Sequence, residues 1–209
     1  MVLSTSTNDV VNAAVRIDFE DSYVKTQGQA SFTIDSLPGI KLSGTYVNEI
    51  KGNESYVFID GELSIDMDGG KIALDGEGII YSQLNPDNPS ESEVAIRFNT
   101  QGGFGLDGIV AFDSQLEFFL NTSGNNIAIV LPEKISNLFA SDSDPDPINI
   151  AAAPVKLNGT SKGGSDPYFM LKGSQGSLTL LDSYSIHGAI LISGSSSSGV
   201  SIEVDGDIG

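Results

Sequence analysis

At 209 residues, with 28 Asp and Glu against 10 Lys and Arg, the chain carries a formal charge of −18. That charge repels phosphate backbones and anionic headgroups, which argues against nucleic acid as a partner and against docking on membranes. With no Cys and a single His, disulfides, thiolate sites, Cys nucleophiles and zinc sites of the His/Cys type are excluded.

Apolar runs such as "IAIVL" and "AILI" have the length of core strands and fall far short of a membrane-spanning helix, so no membrane insertion is expected. The opening "MVLSTSTNDVV" carries neither a basic n-region nor a long apolar h-region, and no signal peptide is read in it.

Apolar and polar residues alternate with period two in "VRIDF" (15–19), "ASFTI" (30–34), "IKLSGTYV" (40–47), "SYVFIDGELSI" (55–65), "KIALDGEGIIY" (71–81) and "EVAIRF" (93–98). Each predicts a strand, and the Gly, Asn, Asp, Pro and Ser clusters between them predict turns. After residue 104 the pattern resumes in "GIVAF", "QLEFFL", "NIAIVL", "VKLNGT", "PYFMLKG", "SLTLL", "YSIHGAILIS" and "VSIEVDG". The expected class is all-β, an antiparallel sandwich or barrel-like body. One short amphipathic helix is expected near 132–140: Pro132 suits a first helical position, and Ile135, Leu138 and Phe139 fall at i, i+3 and i+4. The following "SDSDPDPINIAAAP" reads as a loop.

"KLSGTY" at 41–46 returns as "KLNGTS" at 156–161. Tyr56 with Tyr168, Gly61 with Gly173 and Gly76 with Gly188 then repeat at one constant spacing, and "VAIRF" (94–98) resembles "VSIEV" (200–204). These spacings predict an internal duplication. Residues 14–105 form one copy and 106–209 the other, with an insertion at 132–153. The copies are either tandem modules or one pseudo-two-fold body.

Ligand chemistry is sparse. Asp142, Asp144 and Asp146 alternate in "DSDPD", so a curled loop would turn their carboxylates toward one hard cation, with Asn149 adding an oxygen; Ca²⁺ is the cofactor this predicts. The match to an EF-hand loop is partial, because Pro147 replaces the expected glycine and Ala153 stands where a Glu would close the site. "DMDGG" (66–70) and "DGD" (205–207) are weaker versions in turns.

His187 sits in "YSIHGAIL" and reads as a half-buried structural residue, and no G-x-S-x-G elbow is present. Glu62, Asp66, Asp75, Glu77 and Glu117 are candidates for carboxylate chemistry on a glycan, but in so acidic a chain they read as solvated surface. The sequons at Asn53, Asn121 and Asn158 are of a kind that an Asn- and Ser-rich chain produces by chance.

No catalytic constellation emerges. The expected function is that of a non-catalytic structural or adhesive β module in an extracellular, cell-surface or virion-surface assembly, which self-associates or binds another protein. A small-molecule or glycan binder is the alternative, and a carboxylate-based carbohydrate enzyme ranks third. Sheet edges need partners or protection, and the terminal "GVSIEVDGDIG" places Val200, Ile202 and Val204 on one face. That strand, or the mildly apolar N-terminal "MVLSTSTNDVVNAAV" (1–15), is a candidate for addition to a neighbouring molecule.

Overall fold

A computed structural model describes residues 14–18, 23–34, 36–37, 39–67, 70–83, 85, 87, 92–100, 102–106, 110–139, 147–180, 184–197 and 199–208. Strands β1 (Ala14–Asp18), β2 (Tyr23–Thr33), β3 (Ile40–Lys51), β4 (Glu54–Met67), β5 (Gly70–Gln83) and β6 (Glu93–Thr100) form an antiparallel meander. A short hairpin of β7 (Phe104–Leu106) and β8 (Val110–Asp113) follows, and β9 (Glu117–Asn121) then pairs with β6. β12 (Tyr168–Leu180), β13 (Tyr184–Ser195) and β14 (Ser201–Ile208) complete the sheet.

β12 takes β9 along its first half and β8 along its second, with a register shift between Gly173 and Gly176. β8 and β9 thus serve as one interrupted strand. The pairing path begins at β1 and ends at β14, and no pairing joins those two ends among the described residues. The protein is therefore nearly all β and antiparallel, and no closed barrel is found among the described residues.

Alternation sets one face of this sheet against a continuous core. Leu42, Leu63, Ile72, Ile96, Phe98, Phe118 and Leu171 are among its fully buried members, and the cluster draws residues from β2 through β9, β12 and β13. Burying each such side chain fully contributes about 1.5–3 kcal/mol.

On this core face the register aligns glycines across strands: Gly44 faces Gly61, which faces Gly76, and farther along Gly176 faces Gly188, which faces Gly206. Neighbouring backbones come closer here than a methyl group permits; a Cβ on Gly76 would lie 2.0 Å from the Asn99 carbonyl oxygen. Aromatic rings fill the space the glycines leave. Phe98 lies against Gly76 and Gly78, Phe112 against Gly173 and Gly176, and Phe169 against Gly194.

The opposite, outer face is covered along part of its length. Among the described residues β10 (Ile127–Ile129) pairs only with β11 (Ile148–Ile150), and α1 (Glu133–Ser136) lies between them in sequence. Ile127, Ile129, Ile135, Ile148 and Ile150 pack on Tyr56, Phe58, Ile79, Tyr81 and Ala95 of the sheet. A second patch, with Val155 and Leu157, packs against Tyr168, Met170 and Leu191. This cover explains the unbroken apolar runs. β5 alternates from Ile72 to Gly76, then becomes buried on both faces from Gly78 to Ser82.

Several elements differ from expectation. "INI", expected as loop, is β11, because pairing with β10 satisfies its backbone while both its isoleucines are buried. "VKLNGT" is not a strand but a tight turn, closed by the Lys156 N–H to Thr160 carbonyl bond (2.8 Å) with Gly159 at φ +81°, beside one isolated bridge between Val155 and Ser161. The echo "KLSGTY" lies inside β3, so the two segments adopt different structures. "PYFMLKG" and "SLTLL" merge into the single strand β12 across its bulge. The helix spans only Glu133–Ser136; Ile135 is buried, and Leu138 and Phe139 still pack beneath it in the following turn.

Under the cover, Glu54 accepts hydrogen bonds from both Tyr56 and Tyr81, each at 2.9 Å. Burial, and then this carboxylate, raise the Tyr56 phenol well above its ordinary value and push Tyr81 up to about 12. Burial alone takes Tyr168 to about 12. Since the unfolded phenols ionise near 10, the stability these groups contribute is fully present below about pH 10 and is lost as pH rises toward 12. The melting temperature should therefore stay flat to about pH 10 and then fall, in step with late tyrosinate absorbance. Ionisation of all six tyrosines at the ordinary value without loss of structure would contradict this packing.

Candidate functional site

β14 is the last strand of the path, and β13 is its sole strand neighbour among the described residues. The register sets Ile202 against Ile192 and Val204 against Ile190 on the core face. Ile190 and Ile192 are 1% and 2% exposed, whereas Val200, Ile202 and Val204 are 49%, 54% and 38% exposed. The apolar face thus runs past β13 and out into solvent, on a strand whose other edge has no strand neighbour among the described residues.

The outer face of the same strand end is polar. A cleft of about 360 Å³ is lined by Pro154, Lys162, Asp166, Ser193, Ser195 and Ser201, among others. Lys162 reaches it from the loop before β12 and donates to Glu203 Oε1 (2.7 Å), Ser193 Oγ (2.9 Å) and Ser201 Oγ (3.1 Å). The hydrogen bond from this ammonium holds the Glu203 carboxyl below the ordinary value, helped by the Leu157 N–H.

Lys162 thus ties the loop before β12 to both β13 and β14. Asp166 in turn accepts a hydrogen bond from Ser197. The cleft offers hydroxyl groups, the Lys162 ammonium paired with Glu203, and the Asp166 carboxylate.

The residues singled out in the sequence are dispersed. Asp142, Asp144 and Asp146 lie outside the described residues. Asn149 is exposed in β11 opposite Ala128, and its Nδ2 donates to the Pro147 carbonyl at 3.1 Å.

His187 is exposed rather than half-buried. It occupies the outer face of β13 between Ser177 and Asp207, beyond the reach of the covering layer that buries Leu191 and Ser193 on the same face.

Glu62 and Asp75 stand opposite each other on β4 and β5, with Lys71 bonded to Glu62 at 3.3 Å. Asp66 faces Lys71, Glu77 faces Asp60 and Asn99, and Glu117 pairs with Arg97 at 3.1 Å. These five carboxylates spread over the outer face and none lines the cleft.

Asn53 and Asn158 are exposed, but the third sequon asparagine, Asn121, is wholly buried, with its amide engaged on both ends. Sequence reasoning marked β14 as an edge; it missed the cleft, whose serines and Lys162 are separated in sequence and carry no spacing signal.

No protein-family model, curated protein or solved structure matches this chain.

Proposed function

We propose that this protein is a non-catalytic structural β module that associates with copies of itself through the β14 edge. One observation carries the reading: Val200, Ile202 and Val204 continue the core face into solvent at a strand that, among the described residues, has β13 on one side and no strand on the other. Burying them against another chain would remove apolar surface from water while satisfying the free edge. High acidity suits an extracellular, cell-surface or virion-surface setting, and the absence of cysteine does not fix the compartment.

Gly61 and Gly76 align on the core face of β4 and β5, as Gly176 and Gly188 do on that of β12 and β13. That similarity supports a body of two related modules in a sandwich or barrel-like arrangement. Calcium at Asp142, Asp144, Asp146 and Asn149 belongs to the same proposal, since a divalent counter-ion relieves self-repulsion in so acidic a chain.

Light scattering across a concentration series, with and without calcium, tests the assembly. The chain should form oligomers, and the triple variant Val200→Ser, Ile202→Ser, Val204→Ser should be monomeric with stability changed by less than about 1 kcal/mol. A full-length chain that stays monomeric in both conditions would overturn the reading. The hydroxyl-lined cleft beside Lys162 favours the second reading, a site for a small polar ligand or glycan. That reading would then lead.

A further inference from the structure

We infer that the occupant of the β14 edge is β14 of a second copy, paired antiparallel about a two-fold axis through Ile202. The inference rests on the self-association proposed above and specifies its geometry. In "VSIEV" (200–204) the apolar residues are placed symmetrically about Ile202, and all three are exposed on one face. Antiparallel pairing centred there sets Ile202 against Ile202 of the second copy, and Val200 against its Val204. The core faces of the two sheets then join into one surface, as a two-fold interface requires.

Charge disfavours the registers shifted toward the acids, and apolar matching disfavours a centre at Ser201, which sets Val204 against Ser198. Glu203, Asp205 and Asp207 share the outer face of β14 and are spaced two residues apart, opposite Leu191, Ala189 and His187 of β13. Centred on Ile202, the pairing places Glu203 opposite Ser201 of the second copy and Asp205 opposite its Gly199, so no acid directly opposes another. Centring on Glu203 sets that carboxylate against itself, and centring on Val204 sets it against Asp205; both oppose like charges across one strand spacing. A register off by one residue sets Ile202 against Glu203 and breaks the apolar face. Lys162 already holds Glu203 on the outer side at 2.7 Å, which lowers the charge presented to the incoming strand.

Because the chain has no cysteine, single-cysteine variants report the register directly. Directly opposed residues in antiparallel strands have Cα atoms about 4.5–5.5 Å apart, within the span of a disulfide. Under copper–phenanthroline oxidation, Ile202→Cys should form a covalent dimer at least about tenfold faster than Val200→Cys or Val204→Cys alone, since a preformed pair raises the effective thiol concentration. In an equimolar mixture of Val200→Cys and Val204→Cys, about half of the dimers, the mixed ones, should cross-link as fast as Ile202→Cys. Melting curves of each variant confirm that these exposed positions leave the fold intact. Equal cross-linking of all three variants, or none while the unmodified chain still forms oligomers, would overturn the two-fold pairing and leave self-association standing. A chain monomeric at every concentration would overturn both.

Discussion

Gly61→Ala should cost about 3 kcal/mol or more, read as the shift of a urea unfolding midpoint. The new methyl would lie 2.2 Å from the Ser43 carbonyl oxygen and 2.7 Å from the Gly44 Cα, both backbone atoms of β3. Neither can swing aside as a side-chain tip would. β4 is also held on its other edge by β5 through fourteen consecutive register pairs, so relief by moving the strand would disturb two ladders. Overpacking of this kind forces backbone shifts, and here the shift propagates along the row to Gly76, whose own Cβ position is 2.0 Å from the Asn99 oxygen. Gly102→Ala is the control, since nothing lies within 4 Å of its Cβ position and that change should stay within about 0.5 kcal/mol. Equal stability of the two variants would show that the glycine row does not set the strand approach.

Asn121→Ala should cost about 3 kcal/mol and loosen the outer cover. Asn121 ends β9 with no exposure to solvent. Its Nδ2 donates to the carbonyls of Asn125 and Ala151, both at 2.8 Å. Its Oδ1 accepts the Ser123 N–H at 2.8 Å and the Ser123 hydroxyl at 2.9 Å. One side chain thus ties the turn after β9 and the chain after β11 to the sheet.

Truncation removes four hydrogen bonds, each worth about 0.5–1.5 kcal/mol net. The Ala151 carbonyl keeps its bond from the Tyr168 hydroxyl (2.7 Å), which limits the total. Hydrogen exchange should speed up in β10 and β11 before it does in β4 and β5. Uniform loss of protection across the sheet would mean that Asn121 holds the core rather than the cover. The same burial keeps its amide from a glycosylating enzyme in the folded protein, whatever its sequon suggests.

Much of this architecture is legible in local pattern. Period-two alternation locates the long strands, because a half-buried ladder needs a polar and an apolar face. Where "GIIY" or "YFML" breaks the alternation, the strand is buried on both faces, as continuous apolar runs require. Ile135, Leu138 and Phe139 face one apolar cluster even though the helix around them is a single turn. The alternation of Val200, Ile202 and Val204 likewise identifies one face of β14 before any partner is known.

Pairing between distant segments decides the rest. "KLSGTY" is a strand and "KLNGTS" a turn because the first lies between β2 and β4, while β12 finds its neighbours in β8, β9 and β13 and leaves the second unpaired beyond one bridge. Glycines scattered through the chain become two rows only once six strands are in register. Likewise, the exposure of His187 and the meeting of Lys162 with Ser193, Ser201 and Glu203 depend on contacts between residues far apart in sequence. Local propensity acts over a few residues, whereas a sheet edge is defined by what fails to pair with it, and that is a property of the whole chain.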